Sequence, residues 1–248
     1  MLVSDLDGTL AESKSDLTKE MSGAIAELLK FKKFAVIGGG SYAQFQKQFV
    51  AHLDCPQELL SNLYLFPTCA TAFYVFEGGK WKEVYVEELS AEEKQRIVEA
   101  FHVALEKSGV EMPGSTYGEQ IEDRRTQITF SALGQQAPLE LKSKWDPDKA
   151  KRNLIKRYMD EIIPEFEVNI GGTNSIDVTK KGIDKAYGIR KIMSRFSYAA
   201  YELLFVGDAL FVGGNDYPVT KTGVDCVKVE GPKDTMRLFS KIASASRQ

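Results

Sequence analysis

Cysteine is scarce in this chain: Cys55, Cys69 and Cys226 are the three among 248 residues, with no CxxC or metal-ligand spacing. An odd and scattered set excludes a disulfide framework and a thiolate zinc site, and buried free thiols are the expectation. The two histidines, His52 and His102, form no constellation with a nucleophile or a metal ligand. Charge of one sign is also missing, since 32 basic against 35 acidic residues leave a net charge of −3. Without a basic run, a nucleic-acid or membrane partner is not expected. No apolar stretch approaches the ~18 residues of a membrane-spanning helix. Asp5 and Asp7 interrupt the N-terminus before a signal-peptide core can form. A cytoplasmic protein follows, and a homodimer is one state the composition allows.

The 43% hydrophobic and 27% charged residues suit one large globular domain or two modest ones. Leu2 to Ser4 reads as a short buried strand that runs into the polar turn Asp5-Leu6-Asp7-Gly8-Thr9. A helix over Leu17 to Phe31, a strand at Phe34 to Ile37, a helix around Tyr42 to Leu53 and a strand at Leu63 to Phe66 continue an alternating rhythm. Such alternation favours a parallel sheet covered by helices. The rhythm then changes. Two strands flank Gly78-Gly79, helices are expected from Ser90 to Lys107 and from Asp146 to Ile162, and further strands at Gln127 to Ser131, Phe166 to Ile170 and Ser175 to Val178. From Lys181 the first pattern returns, with a helix near Asp184 to Phe196, strands at Leu203 to Gly207 and Asp225 to Val229, and a last helix after Pro232. The simplest account is an α/β chain: a Rossmann-like parallel-sheet core built from residues 1–80 and 180–248, interrupted by an inserted α+β cap domain at 81–179.

Chemistry gathers at strand ends. Asp5 and Asp7 place two carboxylates just past an apolar strand, with Gly8 permitting close backbone approach. Sites of parallel sheets lie at these carboxyl ends. Ser41 follows Gly38-Gly39-Gly40 after the second strand, where a hydroxyl and backbone amides can hold phosphate. Lys185 opens a predicted helix, a position the helix dipole disfavours for a cation and which therefore invites a functional explanation. Asp208 and Asp216 put further carboxylates beyond the strand ending at Gly207. An all-oxygen set of Asp5, Asp208 and Asp216 suits a hard divalent cation such as Mg²⁺. A carboxylate nucleophile can also carry a phosphoryl group, with a lysine and a metal offsetting its charge.

These motifs resemble the haloacid dehalogenase-like phosphotransferase superfamily: DLDGTL at Asp5 to Leu10, GGGS ending at Ser41, IDK ending at Lys185 and GDALFVGGND from Gly207 to Asp216. The resemblance narrows to the eukaryotic-type phosphomannomutase branch, whose inserted cap is of the second type, and it covers essentially the whole chain. It implies Asp5 as nucleophile, Asp7 as general acid/base and backbone-carbonyl metal ligand, Ser41 and Lys185 as phosphate binders, and Asp208 with Asp216 completing an Mg²⁺ site. It further implies a sugar phosphate as substrate, bound by Ser175 and Asp177 of the cap, with Arg124, adjacent Arg125 and Lys14 as clamp cations. Gln135 stands where the branch has an arginine. The expected function is interconversion of mannose 1-phosphate and mannose 6-phosphate through an aspartyl-phosphate. The alternatives are a sugar-phosphate phosphatase on the same fold and, more remotely, a noncatalytic sugar-phosphate-binding protein. A nicotinamide-binding reading of Gly38, Gly40 and Ala43 leaves the aspartate motifs unexplained.

Overall fold

Runs of four apolar residues without alternation, such as Phe34-Ala35-Val36-Ile37, can be buried on both faces only in the interior of a layered α/β unit. The computed structural model describes residues 1–13, 15–171 and 173–247. Lys14, expected as a clamp cation, lies outside the described residues. The described chain divides into two units, 1–86 with 184–248, and 87–183.

In the first unit, β1 (Leu2–Asp5), β2 (Phe34–Ile37), β3 (Leu63–Phe66), β4 (Ala72–Glu77), β5 (Lys80–Val86), β10 (Leu204–Gly207) and β11 (Asp225–Lys228) form one sheet in the order β11-β10-β1-β2-β3-β4-β5. Pairing is parallel from β11 to β3 and antiparallel for β4 and β5. Alternate residues serve opposite faces. Leu2, Phe34, Val36, Leu65 and Val206 pack with Met21, Ile25 and Leu28 of α1 (Lys19–Leu29) and with Phe239 of α8 (Pro232–Ala245). Val3, Ala35, Ile37, Phe66 and Phe205 pack with Ile189 and Ile192 of α7 (Lys185–Phe196) on the other face. The helix starts are written locally: Thr18 caps α1 by accepting from the Met21 amide, and Asp184 caps α7 by accepting from the Tyr187 amide.

Expectation placed the insert's start at residue 81, so that the strand after Gly78-Gly79 would belong to it. Instead β5 pairs with β4 from Glu77↔Lys80 to Ala72↔Val86 and extends the large sheet. The two-residue glycine turn favours an antiparallel hairpin, and a hairpin whose first strand lies on β3 brings its second strand into the same sheet. The cysteines also differ from expectation. None of the three forms a disulfide, and all are half-buried rather than fully buried.

At the end of β3, the single turn α3 (Pro67–Ala70) departs from ordinary backbone. Thr68, Cys69 and Ala70 have φ of 48, 54 and 67°, three consecutive left-handed residues of which none is glycine. A left-handed helical residue with a Cβ costs about 1–2 kcal/mol, so this turn exists only because its surroundings hold it.

In the second unit, β6 (Ile121–Asp123), β7 (Ile128–Ser131), β8 (Phe166–Gly171) and β9 (Ser175–Lys180) form an antiparallel sheet in the order β6-β7-β9-β8. Strand residues alternate here: Ile128, Phe130, Val168, Ile176 and Val178 pack with Ile97, Phe101, Ile155 and Met159 of α4 (Ala91–Ser108) and α6 (Ala150–Ile162). Between β7 and α6 lies α5 (Leu139–Trp145), so the helix expected to begin at Asp146 starts later. Its N-cap is Lys149 rather than Asp146, whose carboxylate instead accepts from the Lys151 and Arg152 amides of the first turn. No helix of the described residues is long and apolar enough to cross a membrane.

Phe34 is fully buried and meets Phe239 edge-on with ring centroids 5.5 Å apart. Phe34→Ala should destabilise the first unit by about 3–5 kcal/mol, read as a lowered denaturation midpoint in urea.

Candidate active site

β1 is central, with β2 on one side and β10 on the other. The chain winds away from it in both directions, which leaves a crevice beyond the carboxyl ends of these strands. Asp5 is the last residue of β1, Ser41 lies just beyond β2, Asp208 directly follows β10, and Lys185 is the first residue of α7. Strand order and chain winding thus bring together residues far apart in sequence.

The arrangement centres on a buried ammonium. Lys185 Nζ lies 2.7 Å from Asp5 Oδ1 and also contacts Asp216 Oδ1, and all three side chains are almost fully buried. Asp216 Oδ2 accepts from the Ala209 amide at 3.0 Å, which closes the 208–216 loop on itself. Thr9 Oγ1 donates to Asp208 Oδ1 at 3.1 Å, and the Asp208 amide donates to Thr9 Oγ1 at 3.1 Å. One carboxylate oxygen from each of Asp5, Asp208 and Asp216 lies within 4.8 Å of the others. This compact set of hard oxygen donors fits Mg²⁺, which is held by a few carboxylates and keeps waters.

Glycines make the approach possible. Gly8 has a φ of 84°, and a Cβ there would sit 2.6 Å from Asp208 Oδ2. At Gly207 a Cβ would collide with the Asp216 carboxylate. The turn between Asp5 and Thr9 is pinned by the Gly8 amide, which donates to the Ala11 carbonyl at 2.7 Å. Asp7, expected in the metal shell and as acid/base, is half-buried on this turn, and its carboxylate is outside the three-carboxylate cluster.

Electrostatics follow from burying several like charges. Burial pushes the Asp5 carboxyl up to about 7, with Asp216 adding to the rise and Lys185 opposing it. Burial and the neighbouring Asp216 also raise Asp208, against the pull of its Thr9 hydrogen bond. For Lys185 burial works against the charged form, but Asp5 and Asp216 outweigh it and hold the ammonium above its ordinary value.

Ser41 is the N-cap of α2 (Tyr42–Gln48). Its hydroxyl accepts from the Gln44 amide at 3.3 Å while its own amide donates to Gln44 Oε1 at 2.8 Å. The capping box orients Ser41 at the crevice end of β2.

Of the expected cap residues, Ser175 and Asp177 lie on one face of the smaller sheet, two residues apart on β9. Glu122 pairs with Thr129, Thr129 with Asp177, and Asp177 with Asn169 across the four strands. Thr129 Oγ1 donates to Asp177 Oδ1 at 2.7 Å. Arg124 Nε donates to Glu122 Oε2 at 2.7 Å, and its Nη2 reaches Gln135 Oε1 at 3.5 Å. Ser175 donates to the Gly171 carbonyl at 2.8 Å. Arg125 occupies a left-handed turn position, and its Nε donates to Glu88 at 2.8 Å. Sequence reasoning missed the ion pair of Arg152 and Asp146, 2.8 Å apart and buried, in which Arg152 Nη1 also donates to the Gly171 carbonyl at 3.1 Å. The sequence signal for it was an arginine inside the apolar stripe of α6.

Fold and site together define a haloacid dehalogenase-like phosphotransferase or phosphatase enzyme. The chain belongs to the eukaryotic phosphomannomutase family, whose model matches residues 21–245. It is 29% identical to a phosphomannomutase of Encephalitozoon cuniculi over 94% of this chain and 89% of that protein. It is 28% identical to a phosphomannomutase of Drosophila melanogaster over 98% and 94%, and 25% identical to a probable phosphomannomutase of Caenorhabditis elegans over 96% and 92%. Among solved structures, an N-terminally truncated, IMP-bound IMP-nucleotidase of Plasmodium falciparum superposes with a TM-score of 0.71 at 18% identity, covering 98% of this chain and 68% of that one. A haloacid dehalogenase-like hydrolase from Bacteroides thetaiotaomicron gives 0.62 at 12% identity, covering 97% and 98%. These structural likenesses concern the fold.

Asp5 and Asp208 bind protons more tightly folded than unfolded, so metal-free protein should lose stability as pH rises from about 4 to about 7. Asp5→Asn removes one buried negative charge and should flatten that slope and raise the neutral-pH melting temperature. Thermal denaturation in EDTA across this range measures both.

Proposed function

We propose that the protein is an Mg²⁺-dependent phosphotransferase that interconverts mannose 1-phosphate and mannose 6-phosphate through a phosphoryl group carried on Asp5. The observation that carries this reading is the Lys185 ammonium held against Asp5 at 2.7 Å, beside the carboxylates of Asp208 and Asp216. It is supported by membership of the eukaryotic phosphomannomutase family.

In this mechanism Asp5 attacks phosphorus, an Asp5 oxygen–phosphorus bond forms, and the bond from phosphorus to the sugar oxygen breaks. Asp7 donates a proton to the departing oxygen and later takes one from the hydroxyl that receives the phosphoryl group. Lys185 and Ser41 hold the transferring phosphoryl oxygens. Mg²⁺ bound by Asp5, Asp208, Asp216 and the Asp7 carbonyl would supply further positive charge to these oxygens. On the insert, Arg124, Ser175 and Asp177 bind the part of the sugar phosphate that does not react.

A second reading, phosphate release to water, is favoured by one feature of the insert. Arg124 is already paired with Glu122, and Gln135 offers an amide beside it rather than a second cation. A mutase must hold a phosphate at the end of the sugar remote from Asp5, and a charge-assisted contact does this better than an amide.

Phosphorus NMR of protein with Mg²⁺, mannose 1-phosphate and a catalytic amount of hexose bisphosphate tests both readings. The expected product is mannose 6-phosphate, and accumulation of free phosphate would establish the hydrolytic reading. Asp5→Asn should abolish turnover with the circular dichroism spectrum retained. Gln135→Arg should raise the ratio of transfer to phosphate release about tenfold, the worth of one charge-assisted hydrogen bond.

A further inference from the structure

The left-handed turn at Thr68 to Ala70 supplies no carboxylate to the cluster and carries no residue expected to do chemistry, yet it is the one run of three consecutive non-glycine residues at positive φ among the described residues. Three consecutive residues with a Cβ adopt positive φ. Strain of this kind persists only where the surroundings over-determine it, and its partners show what it holds.

The Thr68 amide donates to the Gly40 carbonyl at 3.0 Å and the Cys69 amide to the Gly38 carbonyl at 2.9 Å. In an extended conformation these successive amides would point to opposite sides, so the helical turn is what aims both at the segment preceding Ser41. On its other side the turn meets α7. A Cβ at Gly188, one helical turn beyond Lys185, would lie 3.1 Å from Ala70 Cβ and 3.3 Å from the Cys69 carbonyl oxygen. One short segment therefore fixes both the stretch leading to Ser41 and the first turn of the helix that presents Lys185.

The turn is braced from within. Thr68 Oγ1 and Thr71 Oγ1 are 2.7 Å apart, Thr71 Oγ1 donates to the Thr68 carbonyl at 2.8 Å, and Tyr85 donates its hydroxyl to the Ala70 carbonyl at 3.0 Å. Thr68, Ala70 and Thr71 are buried, so no water replaces these bonds.

We propose that the Thr68–Ala70 turn, locked by Thr71 and Tyr85, is a positioning element that sets Ser41 and Lys185 at the separation a phosphoryl group requires. This rests on the reading of Ser41 and Lys185 as phosphate-binding residues. Thr71 and Tyr85 are positioning residues that act through the turn.

Thr71→Val keeps the shape and removes the hydroxyl brace, Thr71→Ser restores the hydroxyl, and Tyr85→Phe removes the brace at the other end. Titration calorimetry of each protein with inorganic phosphate in Mg²⁺, together with amide hydrogen exchange over residues 38–41, reads the effect. Thr71→Val should bind phosphate roughly five- to tenfold more weakly, the equivalent of one lost hydrogen bond. Its amides at 38–41 should exchange faster, Thr71→Ser should behave as wild type, and Tyr85→Phe should follow Thr71→Val in direction. Wild-type phosphate affinity in both Thr71→Val and Tyr85→Phe would overturn the proposal, as would failure of Thr71→Ser to restore it. Faster exchange at 38–41 in a protein whose wild type takes up no phosphate would sink the functional reading while upholding the brace.

Discussion

Placing the ammonium of Lys185 out of water between Asp5 and Asp216 is the constraint on which the active end of the large sheet depends. An isolated buried charge costs several kcal/mol, so the ammonium is tolerated there only with carboxylate charge beside it. The three groups must therefore arrive together, from β1, from the start of α7 and from the loop after β10. Gly8 and Gly207 are needed where the carboxylates close on the backbone, and Asp216 engages the Ala209 amide so that its second oxygen is satisfied. One ammonium does not balance three carboxylates. Burial, with the negative charge of Asp216 adding to it, raises Asp5 and Asp208 in the metal-free protein, and the uncompensated charge also attracts a divalent cation.

Positioning comes from rigid elements around this cluster. β1 lies between β10 and β2, so Asp5 has neighbours from both directions of winding, and the cores on the two sheet faces hold α1 and α8 on one side and α7 on the other. The left-handed turn after β3 adds a constraint that the layers alone do not supply, because its amides meet the Gly38–Gly40 segment while its carbonyl edge meets Gly188. Such strain is affordable in a unit whose apolar burial is large, and it concentrates beside the residues whose placement matters most.

The insert solves a different problem. Its sheet buries one face under α4 and α6 and leaves the other with the polar row Glu122, Thr129, Asp177 and Asn169. Arg152, held by Asp146 and bonded to the Gly171 carbonyl, fixes the start of the hairpin that carries Ser175 and Asp177. Beside this row Arg124 is answered by Glu122 and lies next to the amide of Gln135.

Much of this was legible in the chain itself. Continuous apolar runs marked β2, β3 and β10, and a short one before Asp5 marked β1, because strands buried on both faces admit few polar residues, while helical spacing of apolar residues marked α1, α4 and α7. Asp5, Asp208, Asp216 and Lys185 could be picked out because a carboxylate or cation at a strand or helix end has no packing reason to be there. Tertiary structure alone decided that β5 joins the large sheet, that Arg125 turns to Glu88, that Arg152 is buried with Asp146, and that Thr68 to Ala70 run left-handed. Each of these depends on a partner distant in sequence or on a backbone state that the residue types themselves disfavour. Local sequence reports which groups need partners, and only the folded chain determines which partners they find.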